Sequence, residues 1–194
     1  MVKKEIAPGI VVYSDLIDGH ENLVNDIEEG MTSSGIEWFS ATVIGGVDTK
    51  VRNTSSISVP FINGIDEEYS TLVDAFQKNI ANLFYNTLVV AEKEYMASYG
   101  VYFSDHDNYQ LLKYGKGQYF TNHIDDHPQY HRRLSSVYYL NDNYTGGEIN
   151  FPRFEISYKP KANEMIIFPS TYVYNHSVSE VTDGTRYAVA SWIK

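Results

Sequence analysis

The sequence predicts an α+β fold, predominantly β, as a single domain over residues 1–194. Three observations lead there. Helical spacing of apolar residues is confined to the part before Gly100. After Gly100 the chain is a run of short β-rich stretches punctuated by turn residues, and no linker, repeat or low-complexity tract separates the two parts. Helices first and many strands second place helices against one side of a β-sandwich or barrel.

Taken in order, Gly9 to Ile17 reads as an opening strand because β-branched and aromatic residues dominate it. His20 to Glu29 reads as a helix, with Leu23, Val24 and Ile27 at helical spacing. Two β-rich runs, Glu37 to Ile44 and Val51 to Val59, flank Gly45-Gly46-Val47-Asp48, which has turn chemistry. From Asp66 to Tyr99 the pattern is that of a long helix or helix pair. Leu72, Val73, Phe76, Ile80, Leu83 and Phe84 form its apolar stripe, and Gly100 is placed to end it. The remaining strands are expected at Tyr109 to Tyr114, Tyr119 to Asn122, Leu134 to Leu140, Gly147 to Phe151, Met165 to Phe168, Tyr172 to Val178 and Arg186 to Ile193.

Composition narrows the function classes. Hydrophobic residues at 43% and charged residues at 21% are ordinary for a globular chain able to bury a core. The formal net charge of −10 argues against binding nucleic acid through its phosphates, which needs a basic face. The absence of cysteine excludes disulfides, iron–sulfur clusters and a thiol nucleophile. The 17 tyrosines combine apolar area with a hydroxyl, which suits strands lining a polar pocket. No apolar stretch approaches the roughly 18 residues of a membrane-spanning helix, and the N-terminus lacks a signal-peptide core. A cytoplasmic protein without membrane partners is expected.

The chemistry concentrates in four residues. His123 and Asp125 are two apart on an expected strand and so share a face, with Asp126 pointing away. His127 and His131 follow closely and also offer imidazoles. His176 lies in Tyr172 to Val178, where residues 172, 174, 176 and 178 would share a face. Two imidazoles and one carboxylate are the donor set for a divalent metal with open coordination positions. Arg186, ten residues beyond His176, shares a strand face with Ala188, Ala190 and Trp192, a pattern that suits a ligand-lined cavity. A guanidinium beside such a metal is suited to a bidentate grip on the far carboxylate of a dicarboxylate co-substrate.

The segment Leu111-Leu112-Lys113-Tyr114-Gly115-Lys116-Gly117-Gln118-Tyr119-Phe120-Thr121-Asn122-His123-Ile124-Asp125 resembles the tyrosine-to-ligand region of the prolyl 4-hydroxylases, within the iron(II)- and 2-oxoglutarate-dependent dioxygenases. Val137 to Asn141, Thr145 to Phe151, Lys159 to Lys161, His176, Gly184 to Tyr187 and Trp192 follow in that family's order, and Val51 to Ser55 resembles its early arginine-containing strand. The resemblance implies a double-stranded β-helix, the jelly-roll barrel, with supporting N-terminal helices. It implies Fe(II) held by His123, Asp125 and His176, and 2-oxoglutarate held by Arg186 with Tyr114 and either Tyr139 or Tyr138. Trp192 and either Arg132 or Arg133 would face substrate, and the Gly45 to Thr49 loop would close over it. The implied activity is hydroxylation of prolyl residues in a protein or peptide, consuming O2 and releasing succinate and CO2, with ascorbate as a supporting reductant. The alternatives are a hydroxylase of another amino acid or small metabolite, and a non-catalytic metal-binding β-barrel module.

Overall fold

The computed structural model describes residues 1–43, 46–61, 75–129 and 131–194. Strands β1 (Val2–Ala7) and β2 (Ile10–Ser14) form an opening hairpin, followed by α1 (Leu23–Ser34) and the short strands β3 (Phe39–Ser40), β4 (Arg52–Asn53) and β5 (Ser55–Val59). Helix α2 (Ala75–Tyr99) precedes β6 (Tyr109–Tyr114), β7 (Tyr119–His123), β8 (Leu134–Tyr139), β9 (Thr145–Gly146), β10 (Ile149–Phe151) and β11 (Ile156–Tyr158). The chain closes with β12 (Glu164–Pro169), β13 (His176–Val178), β14 (Val181–Asp183) and β15 (Arg186–Ile193).

Eight strands make a major sheet in the order β1-β2-β12-β8-β15-β6-β5-β3, and five make a minor sheet in the order β11-β10-β13-β7-β4. Every pairing among these strands is antiparallel. The period of two along each strand sorts side chains into separate cores. On β15, Tyr187, Val189 and Ile193 join the helices in the larger core, while Ala188, Ala190 and Trp192 turn toward the minor sheet. The same parity sends Tyr138 to the helix side and Tyr139 to the inter-sheet side. Among the described residues, two helices on one face of the major sheet and the minor sheet on the other give the mostly β architecture expected from the sequence.

Helix α1 buries Leu23, Ile27 and Met31, one residue per turn, and ends at Gly35 with φ 66°. Helix α2 packs Ile80, Phe84, Leu88, Ala91 and Tyr95 on the sheet and stops at Gly100, φ 64°. There the Val101 N–H donates to Met96 O, the paired closure that favours glycine at this position. The stripe residues Leu72 and Val73 and the loop residues Ile44 and Gly45 lie outside the described residues. Among the described residues no helix is long and apolar enough to cross a membrane.

Three readings of the sequence change. The run Val51 to Val59 is split: β4 belongs to the minor sheet and β5 to the major one, with Thr54 tied to Lys113 O at the crossing. Glu37 to Ile44 reduces to β3, its pairing partner β5 being met only at Phe39 and Ser40. Tyr172 to Val178 is not one strand. Tyr172–Tyr174 forms a 3-10 turn and only His176–Val178 is extended, because the chain must leave the major sheet after β12 and enter the minor sheet at β13. Residues 172 and 174 therefore do not share a strand face with His176. The structure adds β1, whose mostly exposed Val2–Ala7 carries no buried alternation to announce it.

Candidate metal and carboxylate site

His123 ends β7 and His176 begins β13, and the two residues face each other directly across the antiparallel pair. Their rings lie 4.2 Å apart between centroids. Asp125 sits beyond the end of β7, so a bend rather than strand parity brings it back; the Asp126 N–H donates to Ser170 O and fixes that bend. One oxygen of Asp125 is 3.7 Å from His123 Nε2 and the other 3.6 Å from His176 Nε2. The ligand-capable atoms of the three residues all lie within 4.8 Å of one another.

Both imidazoles are turned by the backbone. His123 Nδ1 lies 2.8 Å from Thr121 O and His176 Nδ1 lies 3.1 Å from Tyr174 O. A proton on each Nδ1 satisfies those carbonyls and leaves both Nε2 lone pairs facing Asp125, the tautomer that binds a metal. Phe120 stacks on His123 at 3.6 Å, while Phe168 meets His176 edge-on. Burial, reinforced by the nearby His176, lowers the His123 pKa to about 4, so this ring is neutral at physiological pH. Burial alone would raise the Asp125 pKa, but His176, His123 and the hydrogen bonds of Ser135 and Trp192 outweigh it and keep the carboxylate ionised. Ser135 Oγ donates to Asp125 Oδ2 at 2.7 Å and lies 2.8 Å from Ser170 Oγ. Two imidazoles turned the same way and one oriented carboxylate thus fit a divalent metal on one side only. His127 and His131 do not join this group: His127 Nδ1 accepts the Gln129 N–H, and His131 is exposed in a left-handed conformation.

Arg186 forms the second half of the site. It is 1% exposed, and its guanidinium lies over the rings of Tyr114 at 4.7 Å and Tyr139 at 5.0 Å. Among the described residues its Nε and Nη1 make no hydrogen bond of good geometry, and the buried hydroxyls of Tyr139 and Tyr144 find no partner beyond the guanidinium close by. A buried cation and two hydroxyls so placed cost several kcal/mol unless an anion completes them. The chemistry of this cradle is that of a carboxylate site.

Strand parity separates Tyr139 from Tyr138. Tyr139 faces Arg186, whereas Tyr138 donates its hydroxyl to Asn163 on the helix side. Arg132 lies 3.7 Å over the Trp192 ring and binds Asp107 through Nε at 2.8 Å, while Arg133 is exposed. Trp192 thus connects Arg132 to Asp125. Arg52, from the early arginine-containing segment, stacks at 4.9 Å on the same Phe120 that covers His123. Sequence reasoning did not single out Ser135, Ser170 or Tyr144. Ser135 was within reach, since its strand parity with Tyr139 puts it on the inner face; Tyr144 lies in a loop, where no periodicity speaks.

Residues 109–194 match the model of the 2OG-Fe(II) oxygenase superfamily. A PKHD-type hydroxylase of Prochlorococcus marinus (strain NATL2A) is 39% identical over 84 residues, which are 40% of this chain and 37% of that relative. Among solved structures, a prolyl hydroxylase from Trichoplax adhaerens in complex with a hypoxia inducible factor peptide fragment superposes with a TM-score of 0.72 at 15% identity, over 95% of this chain and 83% of that one. A Pseudomonas putida prolyl-4-hydroxylase gives 0.63 at 18% identity, over 96% and 92%. These likenesses establish the jelly-roll fold. The family match falls on the part of the chain that carries His123, Asp125, His176 and Arg186, and there the chain is similar to the 2OG-Fe(II) oxygenase superfamily and, in fold, to the prolyl hydroxylases.

Proposed function

We propose that this protein is an iron(II)- and 2-oxoglutarate-dependent dioxygenase that hydroxylates prolyl residues in a protein or peptide. One observation carries the reading: the His123, Asp125 and His176 donor set shares its inter-sheet space with a wholly buried Arg186 whose Nε and Nη1 find no hydrogen bond of good geometry among the described residues. A metal-binding module alone would have no use for that cation.

In this reading His123, Asp125 and His176 hold Fe(II), which together with 2-oxoglutarate and O2 supplies the oxidation that inserts one oxygen into a C–H bond and yields succinate and CO2. The chain's own residues bind and orient. Arg186 takes the distal carboxylate bidentately, with the Tyr139 hydroxyl as a further donor and the Tyr114 ring as a wall. Ser135 and Trp192 hold Asp125 so that one carboxylate oxygen stays directed at the metal. Phe120, Phe151 and Phe168 pack on the imidazoles and keep water from their flanks.

A polypeptide substrate is supported by the rim. Ile124, between two donor residues, is 47% exposed, and Tyr172, on the turn leading to His176, is 68% exposed. Apolar side chains held out beside a polar site suit an extended chain lying across it. Arg132, flat on Trp192, is placed to meet that chain's carbonyl groups. The solved relative with a bound peptide fragment supports the same class of substrate.

The test incubates the full chain with Fe(II), ascorbate, 2-oxoglutarate and a panel of proline-containing peptides, measuring succinate and peptide mass. Succinate release coupled to one added oxygen on proline is the expected result. One added oxygen on a different residue would move the reading to another amino acid, and stoichiometric zinc without 2-oxoglutarate consumption would replace it with the non-catalytic module.

A further inference from the structure

The loop between β8 and β9 brings a second hydroxyl to the Arg186 cradle. Tyr144 is 7% exposed, and among the described residues its buried hydroxyl makes no hydrogen bond of good geometry, with the Arg186 guanidinium close by. It packs in the cluster of Tyr114, Ala190 and Trp192, on the Arg186 side of β15. At Gly147 the approach is so close that an added Cβ would stand 2.9 Å from Tyr144 Cε2 and 3.0 Å from Arg186 Cδ. The two side chains converge over that glycine.

The loop is held rigidly for a segment with so little regular structure. Lys159 Nζ donates to the carbonyls of Tyr144 at 2.9 Å and Gly146 at 2.6 Å, and it sits 3.4 Å from the Tyr144 ring centroid. Gly146 pairs with Val181 between β9 and β14, with room for no side chain: a Cβ there would lie 2.0 Å from Glu180 O. An ammonium on the ring face draws electron density from the phenol, which strengthens its O–H as a donor. Burying an unpartnered hydroxyl costs free energy that a structural tyrosine would avoid by reaching a carbonyl.

We propose that Tyr144 donates its hydroxyl to the distal carboxylate of the co-substrate, as a binding residue additional to Arg186 and Tyr139, and that Lys159 positions it. This rests on the reading of Arg186 as the carboxylate clamp. The cradle then offers a guanidinium and two phenols to one carboxylate, which explains why two separate strands and a loop bring donors to the same point.

The experiment uses the full chain with zinc in the metal site, so that no turnover occurs, and measures binding of 2-oxoglutarate and of oxalate by calorimetry. Oxalate also closes a five-membered chelate on a metal, through two carboxylate oxygens, but has no distal carboxylate. Tyr144→Phe should bind 2-oxoglutarate about tenfold more weakly, the effect of one hydrogen bond to a charged group, with oxalate unchanged. Lys159→Met should weaken 2-oxoglutarate less, and should add nothing further in the Tyr144→Phe background. Unchanged 2-oxoglutarate affinity in Tyr144→Phe, or an equal loss for oxalate, overturns the assignment while leaving the clamp intact. If Arg186→Met leaves 2-oxoglutarate affinity unchanged, or lowers it only as much as oxalate affinity, the clamp itself has failed and Tyr144 with it.

Discussion

Arg186→Met tests the carboxylate clamp through two effects of opposite sign. In the ligand-free fold the guanidinium is 1% exposed with Nε and Nη1 making no hydrogen bond of good geometry among the described residues, and each unmade buried hydrogen bond costs about 1–3 kcal/mol. Its contacts with the Tyr114 and Tyr139 rings return about 0.5–2 kcal/mol each. Methionine keeps most of the side chain's length and apolar contact, so the ligand-free variant should be as stable as wild type or more so, by up to about 2 kcal/mol. In a domain of this size that is a melting temperature raised by up to roughly 8 °C. With 2-oxoglutarate the sign reverses. Removing one partner of a buried charged pair costs about 2–5 kcal/mol, which weakens binding by roughly 30- to 5,000-fold. Melting in chelator and calorimetric titration of 2-oxoglutarate into the zinc-loaded protein read the two effects separately. A variant that melts well below wild type without ligand, yet binds 2-oxoglutarate normally, would show that Arg186 is a structural cation and would refute the clamp.

Three further outcomes are expected. Ser135→Ala, which frees Asp125 Oδ2, should lower metal affinity by roughly 10- to 100-fold in a competition with a chromogenic chelator, and unchanged affinity would show that Trp192 alone orients the carboxylate. The metal-free protein should lose stability as pH falls from about 6.5 toward about 4. The unfolded chain takes up a proton at His123 over that window and the folded chain does not, a loss of up to about 3 kcal/mol that His123→Phe should remove from the pH–melting profile. Gly147→Ala places a Cβ against Tyr144 and Arg186 at a backbone φ of +67°, so 2-oxoglutarate binding should weaken more than tenfold and the melting temperature should fall; a neutral substitution would mean that these two side chains yield freely.

Much of the site was legible before any coordinates. Strand parity on β15 separated Arg186, Ala188, Ala190 and Trp192 from Tyr187 and Val189, and the two sets do face different cores. Parity holds because each of these strands is buried on both faces of one sheet, so a shift of one residue would exchange the cores. The same rule failed at Tyr172–Tyr174, where tyrosine and valine have strong β propensity but the chain has to turn between sheets. It gave the right residue for the wrong reason at Asp125, which a bend returns to the histidines after β7 has ended.

By itself the sequence determined the mostly β class of fold, from local periodicity, and it singled out His123, Asp125, His176 and Arg186 as candidates, from their donor types and from the resemblance of the surrounding motifs. Only the tertiary structure decided that Tyr139 rather than Tyr138 faces Arg186, and that Arg132 rather than Arg133 lies on Trp192. It alone placed Ser135 behind Asp125 and Tyr144 beside Arg186. The physical reason is that these contacts join residues distant along the chain, through sheet register and through loops closed by Gly146, Gly147 and Lys159, and neither has a signature in a short window of sequence.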